Sequence, residues 1–102
     1  MKKKLFILVI IIMSLNKSYA AITYGAGTAS CGAWVKASRD GGSNDAFNLS
    51  WVHGYLSALQ VPYDLKEADN SSIRLFLDEY CKSNPFDSIS DAVHKLSLEL
   101  IE

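Results

Sequence analysis

The chain has 102 residues, ten of them Lys or Arg and eleven Asp or Glu, so its formal net charge is −1 and its length sets one small domain. Four of the basic residues lie within the first 17 positions, and everything after Ala20 carries six bases against eleven acids, a net charge of −5. An acidic surface of that kind argues against non-specific binding to nucleic acid or anionic lipid, and suits a basic protein partner.

The N-terminus reads as an export signal in three parts. Lys2, Lys3 and Lys4 are the basic start, Leu5 to Leu15 is apolar except for Ser14, and Asn16 to Ala20 is more polar. Ser18 and Ala20 place small residues three and one before a cut after Ala20, as a signal peptidase requires. The competing reading is a membrane anchor, but the apolar run is far short of the roughly 20 residues that span a bilayer. Residues 1–20 are therefore expected to be a cleaved bacterial signal, and the protein to work in the periplasm. No cysteine sits at the cut to carry a lipid.

Residues 21–29 are rich in Gly, Ala and Thr and read as a flexible lead-in to a single helical domain, 30–102. Ser30 is a good cap for a first helix over Cys31 to Arg39, which Asp40-Gly41-Gly42-Ser43 ends. Asn44 or Asp45 caps the second. There Phe47, Trp51, Val52, Tyr55, Leu56 and Leu59 recur at helical spacing, and Val61-Pro62 stops the run. Gly54 inside this pattern suggests the close approach of another helix. Tyr63 to Asn70 is a polar, acidic connection. A third helix starts at Ser71 or Ser72, carries Ile73, Phe76, Leu77, Tyr80 and Cys81 on one stripe, and ends at Asn84-Pro85. Asp87 or Ser88 caps a fourth, whose stripe is Ile89, Ala92, Val93, Leu96, Leu100 and Ile101, with Ser88 and Asp91 spaced as a capping box. The fold expected is all-α, a bundle of four short helices burying their apolar faces against one another.

Cys31 and Cys81 are the only cysteines. In an oxidising compartment they are expected to pair; the alternative is two buried thiols. A bridge would clasp the start of the first helix to the end of the third and close a loop worth about 4 kcal/mol by chain entropy. For so small a core that is a large share of the stability.

No catalytic or metal constellation stands out. His53 and His94 lack a second His or Cys at ligand spacing. No serine lies in a G-x-S-x-G elbow, the cysteines are committed to the bridge, and Asp78-Glu79 are helix neighbours that do not face each other. No cofactor is expected. Binding is left. Trp34, Trp51 and Tyr55 are either core packing or anchors for a partner. Tyr63, Asp64, Glu67 and Asp69 form a stretch that is either a solvated loop or a dock for a basic partner.

The signal, Cys31 opening a helix, Trp51-Val52-x-Gly54-Tyr55-Leu56, Tyr80-Cys81 with Asn84-Pro85, and the helix from Ile89 to Ile101 together resemble two groups of small periplasmic helical proteins. One is the HdeA/HdeB acid-stress chaperone type; the other is the Rap/Tai immunity type, which neutralises cell-wall-degrading effectors. The chaperone resemblance implies a protein that loosens in acid and exposes apolar surface to clients. The immunity resemblance implies a preformed face that blocks an effector. A structural or accessory subunit of an envelope assembly is a third class, and a homodimer is open in each. The leading expectation is a periplasmic, non-catalytic protein-binding domain of the inhibitor kind, with no nucleic acid and no membrane among its partners once the signal is removed.

Overall fold

The computed structural model describes residues 23–101. The expected export signal lies outside them, as do Ala21, Ile22 and Glu102. The described residues form four α-helices: α1 (Cys31–Asp40), α2 (Ser43–Tyr63), α3 (Asn70–Ser83) and α4 (Ile89–Leu100). A short 3-10 turn, Gly25–Thr28, precedes them. Among the described residues there is no strand, and Cys31 and Cys81 are joined in a disulfide with their Cα atoms 4.7 Å apart.

The helix starts show how local chemistry sets the elements. A helix leaves its first N–H groups without internal partners. In α1 the Ser30 hydroxyl accepts from Ala33 N, while Cys31 N and Gly32 N donate to the carbonyls of Asp87 and Pro85. The turn before α4 therefore caps α1. In return Ile89 N donates to Ala29 O, and Ser88 and Asp91 complete a capping box at α4. The two helix starts hold each other. This is the pole where the disulfide lies.

Three helix boundaries differ from expectation. Gly42 rather than Asn44 or Asp45 precedes α2; Gly41 and Gly42 both have positive φ, so the glycine pair makes the turn and Asp45 falls within the first helical turn. At the far end, α2 runs one residue past Pro62. A proline's fixed φ suits a helix, and what it forfeits is one N–H bond. The stop comes from Asp64, which is left-handed at φ 50° and donates its N–H to Gln60 O. Similarly α3 begins before Ser71, because Asp69 caps it by accepting from Ser72 N at 2.7 Å.

The core consists of Cys31, Trp34, Val52, Ile73, Leu77, Cys81, Ile89, Ala92, Val93 and Leu96. α1 packs on α3 and α3 on α4, while α2 lies against α1, α4 and the 3-10 turn. Side chains tie α2 to α3: Arg74 makes a bidentate pair with Asp45 at 2.8 Å, and His53 Nε2 lies 2.7 Å from Asn70 Oδ1. Hydrogen bonding to Asp45 pushes the Arg74 guanidinium up from its ordinary pKa, so it stays charged.

The segment expected as a flexible lead-in is built differently from Thr23 onward. Ala26 and Gly27 are buried, and Trp51 donates its indole N–H to Tyr24 O at 2.8 Å. A Cβ on Gly27 would overlap the six-membered ring of Trp51, so glycine is what lets the turn lie flat on α2. Gly54 is the converse case. Among the described residues no helix approaches it, and the space where its Cβ would stand is open.

Candidate protein-docking groove

The connection between α2 and α3 is short of helix yet closely held. Leu65 is its one buried residue, inserted among otherwise exposed charges. The Gln60 side chain bonds Leu65 like a strand partner: its amide nitrogen donates to Leu65 O, and its oxygen accepts from Leu65 N, both at 3.2 Å. Lys66 N donates to Leu100 O at 2.8 Å, fastening the same segment to the end of α4. Beside it a groove of about 730 Å³ opens between α2, the connection, the start of α3 and the end of α4. Leu56, Leu65, Ile73 and Leu100 give it an apolar floor, and His53, Lys66, Glu67 and Asp69 stand along its polar rim.

The sequence candidates divide on this geometry. Glu67 and Asp69 line the groove; Tyr63 and Asp64 are exposed at its α2 end. Asp69 does two things at once. Its carboxylate caps α3, and hydrogen bonds from Ser72 hold it below the usual carboxylate pKa, yet it remains exposed. Trp51 and Tyr55 lie on a different side, half-buried against each other with ring centroids 5.5 Å apart. Burial raises the Tyr55 phenol above its ordinary pKa. Trp34 cannot be a surface anchor. It is 1% exposed, and its indole N–H donates to Asp78 Oδ1 at 2.8 Å, because α1 turns this side chain into the contact with α3.

From the sequence Leu56, Ile73 and Leu100 read only as members of helix stripes, and nothing singles out Leu65 or Gln60. A lone leucine in a charged run, with a glutamine five residues before it, is the only signal that could have marked them. Among the described residues no three His, Cys, Asp or Glu side chains gather as a metal site, and no helix is long and apolar enough to cross a membrane.

These features define a class: a small all-α domain with one disulfide and a groove with an apolar floor and a charged rim. No family model, characterised protein or solved structure matches the chain.

Proposed function

We propose that the protein is an exported periplasmic domain that binds another protein without catalysis, acting as an immunity or inhibitor protein against a cell-envelope effector. The groove beside the acidic connection carries this reading. Its floor is apolar, its rim is charged, and its connection is held by bonds to Gln60 and Leu100, so little ordering is needed on binding. A complementary partner would place an apolar side chain over Leu56 and Leu65 and basic groups opposite Asp64, Glu67 and Asp69.

The test is a double substitution, Asp64→Lys with Glu67→Lys, which leaves the α3 cap intact. Wild-type protein should protect cells from a co-expressed periplasmic effector encoded beside its own gene, and bind that effector in vitro. The variant should do neither. Equal protection by the variant would remove the groove from the proposal; no effector bound by the wild type would remove the inhibitor role.

One observation favours the acid-chaperone reading as the second choice. Asp45 and Asp78 each join two helices through a carboxylate, to Arg74 on α3 and to Trp34 on α1. Loss of these two links would loosen α3 from both neighbours and uncover apolar surface. That reading requires suppression of client aggregation at about pH 2 to 3, below carboxylate pKa values of about 4, with loss of the near-ultraviolet dichroism.

A further inference from the structure

α2 carries a second apolar stripe that, among the described residues, is covered only at Trp51, by the 3-10 turn. Asn48 and Val52 point into the domain and are buried. On the other side Phe47, Trp51, Gly54, Ala58 and Val61 follow one another at spacings of four, three, four and three. Phe47 is 62% exposed, Val61 is 92% exposed, Gly54 and Ala58 are open, and only Trp51 is partly covered, by the 3-10 turn. Alternating three and four keeps side chains in one line along a helix, the pattern by which one helix meets another.

We propose that this face is a self-association surface on which a second copy of the chain docks through its own α2. Charge selects that occupant. Positions 46–63 contain no Asp, Glu, Lys or Arg, whereas residues 23–101 as a whole carry ten acids and six bases. Two acidic copies repel wherever charged faces meet, and this long side brings no like charges together. A basic partner would be drawn instead to the acidic connection. The spacing also fits a two-fold pairing of identical faces. With the helices antiparallel and Gly54 crossing Gly54, Phe47 of one copy stands opposite Val61 of the other. The open space at Gly54 lets the helices approach there. The inference does not depend on the proposed function, since the groove is on another side of α2.

Sedimentation equilibrium of the purified, oxidised protein tests it. The wild type should show a monomer–dimer equilibrium that is unweakened by added salt. Gly54→Arg puts a charge at the crossing point and should raise the dimer Kd at least about 100-fold (a change of about 2.7 kcal/mol). The same variant should keep its helical dichroism and melting behaviour as a monomer, because the site is open. Val61→Glu should weaken the dimer in the same direction. A wild type that is monomeric at about 1 mM, or a folded Gly54→Arg protein with unchanged Kd, overturns the proposal. A dimer that salt dissolves also overturns it, by placing the contact on charged surface.

Discussion

Tyr80 and Asp87 show how much one carboxylate can set at the residue scale. The phenol donates to Asp87 Oδ2 at 2.6 Å, and this bond, before burial and charge, pushes its pKa up to about 12. A raised phenol pKa means that the bond's contribution to stability is complete below the ordinary value of about 10. It is then lost as pH rises through about 12. An ultraviolet titration of the tyrosines should therefore show Tyr80 ionising last, and Asp87→Asn should bring that step down toward the others. An unchanged titration would sever the phenol from the carboxylate. Asp78 is the second case. It accepts from the indole of Trp34 at 2.8 Å, with Ser38 Oγ donating to its other oxygen at 3.4 Å. Asp78→Ala leaves a buried indole N–H without a partner, at a cost of about 1–3 kcal/mol. Urea melts followed by tryptophan fluorescence measure it, and a loss within about 0.5 kcal/mol would mean that water replaces the carboxylate.

At the scale of elements, cap chemistry proved more readable than helical faces. Ser30, Ser88 and Asp91 announce α1 and α4 in the sequence, and the structure places them as caps. α2 behaves differently. It is apolar around most of its circumference, so spacing alone cannot separate Phe47 and Trp51 on one side from Val52 on the other. The groove was hidden for a related reason. Its shape depends on where Gln60 and Leu100 take hold of the connection, and no local propensity encodes that long-range contact. Two substitutions probe these elements. Ser88→Ala removes half of the capping box and should cost about 1 kcal/mol, read as a lower urea midpoint at constant slope. Gly27→Ala forces a methyl group against the Trp51 ring, at a cost of about 1–3 kcal/mol for overpacking. Because Trp51 is half-buried, its fluorescence should also shift to the red as the turn lifts off. If Gly27→Ala leaves both stability and emission unchanged, the turn is not seated on α2 in solution.

For the whole molecule the disulfide settles which parts can separate. Cys31 opens α1, Cys81 sits near the end of α3, and both are at most 1% exposed. The bridge joins the pole where Cys31 N and Gly32 N already donate to Asp87 and Pro85, so the start of α1 is tied there both to α3 and to the turn before α4. The opposite end of the molecule relies on the Leu65 connection and on side-chain links from α2. A core of this size supplies only about 3–5 kcal/mol, and a bridge across 50 residues contributes about 4 kcal/mol by restricting the unfolded chain. Replacing both cysteines by alanine should therefore leave a chain that is partly unfolded at 37 °C, visible as lost helical dichroism and a shallow melt. A stability loss below about 1 kcal/mol would show that the hydrogen-bonded pole holds without its bridge. Burial adds a kinetic consequence: a reductant reaches the sulfurs only when the domain opens. Reduction of the wild type should be slow in native buffer and should accelerate with urea in step with unfolding. Rapid reduction without urea would mean that α1 detaches alone, and that the pole is the loose end of the domain.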